Sequence, residues 1–140
     1  MKLQYWSINR LPGMTRSQVE LLAKNNITNT KQLLELTQNR ESKQKLASKL
    51  QLNQKYINKW VAMADLARLP SIGTQYCGLL LHAGIISTAR LSQTPFYLLH
   101  RQIVRLQVAT LRRKDLSPSI EQTKRWVEEA KTQHNTTNKY

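Results

Sequence analysis

Acidic side chains are scarce in this 140-residue chain: eight Asp and Glu stand against 22 Lys and Arg, leaving a net charge of +14. Both halves carry the surplus, with 12 bases and 4 acids in residues 1–70 and 10 bases and 4 acids in residues 71–140. This is therefore not a neutral domain with a charged tail. Such a surplus repels itself unless a polyanion sits nearby, which makes nucleic acid the first partner to consider. Cys77 is the single cysteine, so no internal disulfide or cysteine metal cluster can form. Four Gly and four Pro argue against a loop-rich or fibrous chain. Long hydrophobic runs are missing too. The most apolar stretch, Cys77 to Ile86, contains His82 and is far too short to span a membrane. Met1 to Ser7 lacks the apolar core of a signal peptide. The expectation is a soluble, cytoplasmic protein without membrane association.

What is present is a composition led by Leu and rich in the helix formers Gln, Lys, Arg and Ala, with a hydrophobic fraction of 40% that suffices for a packed interior. The length suits one compact domain or two small ones sharing a core. The chain also repeats itself. At an offset of 58 residues, Leu11-Pro12-Gly13-Met14 aligns with Leu69-Pro70-Ser71-Ile72, and Leu21-Leu22, Ile27, Thr30 and Leu33 fall on Leu79-Leu80, Ile85, Thr88 and Leu91. At an offset of 66, Lys59-Trp60-Val61 with Ala64 matches Arg125-Trp126-Val127 with Ala130. The halves span residues 1–68 and 69–131, and the polar stretch 132–140 reads as a disordered tail.

Each half reads as about four helices. Thr15 and Gln18 fit a capping box opening a helix whose apolar face is Val19, Leu22 and Ala23. Thr28 to Thr30 can cap a short helix carrying Leu33, Leu34 and Leu36, and a third helix runs from about Lys43 to Leu50. Asn53 opens a fourth, with Leu52 and Ile57 as a hydrophobic staple and an inner face of Tyr56, Ile57, Trp60, Val61 and Ala64. In the second half Thr74 opens a helix through Ala83 that Gly84 ends, and Ser87 caps a short helix. Thr94-Pro95 and Ser117-Pro118 each read as an N-cap followed by proline at the first helical position. Phe96, Leu99, Ile103 and Leu106 face inward on the first of these last two helices, and Thr123, Trp126, Val127 and Ala130 on the second. No segment alternates as a strand does. The fold class is all-α.

Chemistry is carried by cations. Between Asp65 and Asp115 there is no acid, but seven bases: Arg68, Arg90, Arg101, Arg105, Arg112, Arg113 and Lys114. Arg101, Arg105 and Arg112 share one helix face, opposite Phe96, Leu99, Ile103 and Leu106. Guanidinium forks on such a stripe suit phosphate oxygens, which they bind in pairs. Lys43, Lys45 and Lys49, beside Arg40 and Glu41, form a looser patch that reads as a solvated face. Trp60 and Trp126 sit within apolar faces and read as core, whereas Trp6 has no equivalent. Enzyme readings fail on inventory. His82, His100 and His134 are isolated, no spacing suits a metal, Asp65 has no second carboxylate, and Cys77 has no positioned base. Neither a catalytic site nor a cofactor is expected, and Cys77 reads as a small buried core residue.

Leu69-Pro70-Ser71-Ile72-Gly73 followed by a helix, Ala83-Gly84-Ile85 and a second short helix resembles the helix-hairpin-helix motif. The whole chain, from about Leu11 to Lys131, resembles a family of small cyanobacterial proteins known as domain of unknown function 4332. Its most distinctive stretches here are residues 66–73 (Leu-Ala-Arg-Leu-Pro-Ser-Ile-Gly) and 75–85 (Gln-Tyr-Cys-Gly-Leu-Leu-Leu-His-Ala-Gly-Ile). The resemblance implies two diverged hairpin halves packed as one unit. It also implies that the glycine-lined loops offer backbone N–H groups to a phosphate at a helix start. Each loop departs from the motif by one glycine: Thr15 stands at the second glycine position of the first, and Ser71 at the first glycine position of the second. Their hydroxyls can substitute for the missing amide contacts. The candidate contacts are thus Gly13, Thr15 and Arg16 in the first hairpin, Ser71, Gly73 and Thr74 in the second, and Arg90, Arg101, Arg105, Arg112 and Arg113.

These readings point to a non-catalytic module that binds nucleic acid, DNA before RNA, without base specificity. The alternative is an adaptor docking its basic surface on an acidic protein assembly. Degenerate hairpins favour the adaptor, and the acid-free stretch favours nucleic acid.

Overall fold

Short polar side chains decide where most of the helices begin, because each helix start leaves amide donors that an Asn, Ser or Thr oxygen can accept. A computed structural model describes residues 1–111 and 117–138. Helix α1 (Arg16–Lys24) opens on the expected capping box: Thr15 Oγ1 accepts the Gln18 N–H at 3.1 Å, and Gln18 Oε1 accepts the Thr15 N–H at 3.0 Å. Asn29 caps α2 (Thr30–Leu36), Asn39 caps α3 (Arg40–Leu50) and Asn53 caps α4 (Gln54–Leu66). Helix α5 (Gly73–His82) starts without a side-chain cap, and Ser87 caps α6 (Thr88–Ser92). The last two are α7 (Phe96–Leu111) and α8 (Ile120–Asn138). A 3-10 turn covers Ile8–Arg10. Among the described residues there is no strand, only an isolated antiparallel bridge between Ser7 and Asn29. The protein is all-helical.

Several sequence expectations need correction. Ser119, not Ser117, caps α8, in a capping box with Gln122 at 3.2 and 3.0 Å. The Thr94 hydroxyl turns back to donate to the Arg90 carbonyl at 2.8 Å, so it closes α6 instead of opening α7. The polar stretch after residue 131 is helical through Asn138, in place of the expected disordered tail. His134 Nε2 there lies 3.4 Å from Thr88 Oγ1, tying that extension to the start of α6. Ala23 and Tyr56, expected on inner faces, are exposed.

The core forms around α4, which packs on α2, α3 and α5, and around α8, which packs on α6 and α7. Trp60 and Trp126 are both buried, as are Thr30 and Thr88. A β-like N-terminal segment laces the unit together. Gln4 N–H donates to Arg68 O at 2.9 Å, Thr30 N–H to Trp6 O at 2.8 Å, and Ile8 N–H to Thr28 O at 3.0 Å. These bonds join the start of α2 to the α4–α5 junction.

Candidate nucleic-acid interface

The second hairpin loop turns inward. Gly73 adopts φ +53°, the left-handed region where glycine is least strained, and a Cβ there would lie 3.3 Å from the Trp6 indole. Gly73 is buried, and its N–H donates to Leu69 O at 3.0 Å. Ser71 N–H donates to the Glu129 carboxylate at 3.1 Å, and Ser71 O accepts the Trp126 indole N–H at 3.1 Å. Thr74 is half-buried, and its carbonyl faces the Cys77 sulfur at 3.9 Å. The loop's amides therefore already hold internal acceptors, one of them an anion. Trp6, to which the sequence assigns no role, lies over Gly73 and donates its indole N–H to Ala67 O at 2.9 Å.

The first hairpin loop turns outward. Gly13 is exposed at φ +77°, and a Cβ built on it would come 3.6 Å from Lys59 Nζ. Thr15 is exposed but its oxygen serves the capping box. Arg16 projects into solvent with a side-chain exposure of 94%, where it pairs with Glu20 at 3.3 Å, a geometry worth little in water. The two matching loops thus differ in the charge that approaches them, a lysine at Gly13 and a glutamate at Ser71.

On α7, Arg101 and Arg105 are exposed one turn apart, on the side away from buried Leu99 and Ile103. Arg90 is exposed on α6. Arg112 and Arg113 lie outside the described residues. Among those residues only two ion pairs form, Arg16 with Glu20 and Arg68 with Asp65. Asp65 also accepts the N–H and hydroxyl of Thr88 at 2.7 and 3.1 Å. That carboxylate caps α6 from a neighbouring helix and is thereby committed to structure.

The structure also assembles a site that the sequence does not single out. A cleft of about 1090 Å³ opens over α4, between the end of α2 with the start of α3 on one side and the α5–α6 turn on the other. Arg40 and Lys43 reach it from α3, Lys55 and Lys59 from α4, and Arg68 from the α4–α5 junction. Arg68 is paired with Asp65, whereas the other four have no ion-pair partner among the described residues. Lys45 and Lys49, grouped with Lys43 by sequence, point elsewhere and do not line it. A signal exists in α4, where Lys55 and Lys59 sit at i,i+4 and therefore share a face. Nothing local shows that α3 brings Arg40 and Lys43 opposite them.

Among the described residues no group of His, Cys, Asp and Glu could hold a metal ion, and no helix is long and apolar enough to cross a membrane. Cys77 is buried, and burial pushes its thiol up to about 11, which keeps it protonated near neutral pH.

The fold thus defines an all-helical protein whose surface positive charge is largely unneutralised. Residues 12–133 match the family described as Domain of unknown function (DUF4332), and the chain belongs to that family. Neither the curated proteins nor the solved structures yield a match.

Proposed function

We propose that this protein is a non-catalytic nucleic-acid-binding module, acting on DNA in preference to RNA and without base specificity. Its two halves are diverged helix-hairpin-helix units. In support of that arrangement, Gly13 and Gly73 both take positive φ in matching loops, and Trp60 and Trp126 are buried at matching places. Phosphates are held by Arg101 and Arg105, with Arg90, by the outward Gly13 loop with Thr15 and Arg16, and by the cations of the cleft. Arg112 and Arg113, outside the described residues, are further candidate phosphate contacts by sequence. Ser71, Gly73 and Thr74 serve as an anchor, because Glu129 already occupies the Ser71 amide.

One observation carries this reading. The net charge is +14, yet the described residues form only two ion pairs. A surface of that kind gains by exchanging small counterions for a polyanion.

The internal use of the second loop favours the adaptor as the alternative, since a structural hairpin leaves only diffuse charge for DNA. A salt-titrated binding assay on duplex DNA, single-stranded DNA and RNA separates the two. The nucleic-acid reading expects tight binding at ~50 mM salt that weakens steeply by ~200 mM, with similar affinity for unrelated sequences. Failure to bind any of the three at ~50 mM salt leaves the adaptor.

A further inference from the structure

The cleft over α4 offers more than positive charge. Its floor is apolar, formed by Val61 and Ala62 of α4 with Leu34 of α2 and Leu81 of α5. Ile86 stands at its lip, 57% exposed. Gln38, Gln54 and Asn58 add three carboxamides to its walls, each able to donate and to accept, beside Asn53, whose oxygen already caps α4. From Gln54 to Asp65 the α4 wall runs about 16 Å at ~1.5 Å per residue.

Each candidate occupant uses these features differently. A duplex shows phosphates on its outside while its base faces are stacked away, so it satisfies the cations and gains nothing from an apolar floor. An acidic amphipathic helix would satisfy the rim and the floor. Its backbone groups are internally paired, which leaves the carboxamides of Gln38, Gln54 and Asn58 without backbone partners. A single strand uses all three, because its phosphates meet the cations, its base faces the apolar floor, and its free base edges the amides. The volume, about 1090 Å³, lies at the upper end of the ~300–1,000 Å³ of ordinary small-molecule pockets and has room for a short polymer segment.

We propose that this cleft seats a single-stranded nucleic-acid segment. Bases lie against Val61, Leu81 and Ile86, and phosphates are held by Arg40, Lys43, Lys55 and Lys59. The proposal rests on the nucleic-acid reading above and adds a preference for strand state, with the duplex confined to phosphate contacts on the outer arginine faces.

The test compares a labelled oligothymidylate of about a dozen nucleotides, within the ~4–16 nucleotides of common single-strand sites, with a labelled duplex of similar length. Fluorescence anisotropy should show the single strand binding at least roughly tenfold tighter. The charge-neutral pair Asn58→Ala and Ile86→Ser should remove at least roughly tenfold of that affinity, about one stacked base. Duplex affinity and both salt slopes should stay unchanged, since no charge is altered. Should Ile86→Ser disturb folding, Gln38→Ala with Asn58→Ala, both at exposed positions, gives the same comparison. Equal or tighter duplex binding, or a variant that keeps full single-strand affinity, overturns the cleft assignment and leaves the general nucleic-acid reading standing. An acidic amphipathic peptide that binds the cleft where oligothymidylate does not overturns it as well. Binding of neither nucleic acid ends both.

Discussion

The Glu129 carboxylate accepts the backbone N–H of Ser71 at 3.1 Å across 58 residues of chain. One turn earlier on the same helix, Trp126 donates its indole N–H to the Ser71 carbonyl at 3.1 Å. Both backbone polar groups of Ser71 are thereby held by α8. Replacing Glu129 with Ala would leave the half-buried Ser71 amide without its acceptor, at a cost of about 1–3 kcal/mol. Glu129→Gln retains an acceptor oxygen and should cost clearly less. Urea unfolding of the two variants checks this, and equal losses would show that a neutral carboxamide oxygen does not replace the Glu129 carboxylate as acceptor.

Trp60 on α4 and Trp126 on α8 are both buried, with exposures of 2% and 0%. Truncating either to Ala should cost roughly 3–5 kcal/mol, as large aromatic deletions in packed cores do. In the folded protein their fluorescence should resist iodide. Half-buried Trp6 should account for most of the quenching that is seen, so Trp6→Phe should abolish most of it.

Gly73 and Gly84 both adopt positive φ, +53° and +92°, but in different surroundings. A Cβ at Gly84 meets nothing within 4 Å, whereas one at Gly73 meets the Trp6 ring at 3.3 Å. Gly84→Ala should therefore cost only the backbone strain, about 1–2 kcal/mol. Gly73→Ala adds a steric clash, and Gly73→Val a larger one with a β-branched chain. Thermal unfolding should rank them in that order. Parity between Gly73→Ala and Gly84→Ala would mean that Trp6 gives way freely.

Cys77 links pH to stability. Its thiol is raised from the ordinary 9.0 to about 11 by burial, so the folded state holds the proton after the unfolded chain has released it. Stability is unaffected below pH 9 and falls as pH rises through the window from 9 to about 11. Cys77→Ala should lack this component, seen as a shallower decline over that window. A thiol reagent should label the native protein slowly near neutral pH and rapidly after unfolding. Fast native labelling would place the sulfur at the surface.

Local rules make most of this fold legible. Thr15, Asn53 and Ser87 announce their helices because a cap is decided within three residues, and the repeat pairs Thr30 with Thr88 and Trp60 with Trp126. What stays hidden depends on distance along the chain. Trp6 reaches Ala67, Glu129 reaches Ser71, and the cleft joins residues of α2, α3 and α4 with the α5–α6 turn. The α8 extension is hidden for a related reason. Residues 132–134 are polar, and their helix lies against the start of α6, where His134 meets Thr88. The N-cap of α8 is easily misplaced by two residues because Ser117 and Ser119 flank the same proline, and only Ser119 stands three residues before a glutamine.

The central claim is that exposed arginines of α7 hold phosphates, and the salt dependence of duplex binding reads this most directly. Arg101 and Arg105 point away from the core, so neutralising both to Gln should leave the fold intact by circular dichroism. Removing one phosphate-binding cation lowers the slope of log K against log salt by about 0.9 on duplex DNA. The double variant should therefore bind more weakly at ~50 mM salt, with a slope shallower by about 1.8. Unchanged affinity and slope in a folded double variant would contradict the account and remove α7 from the interface.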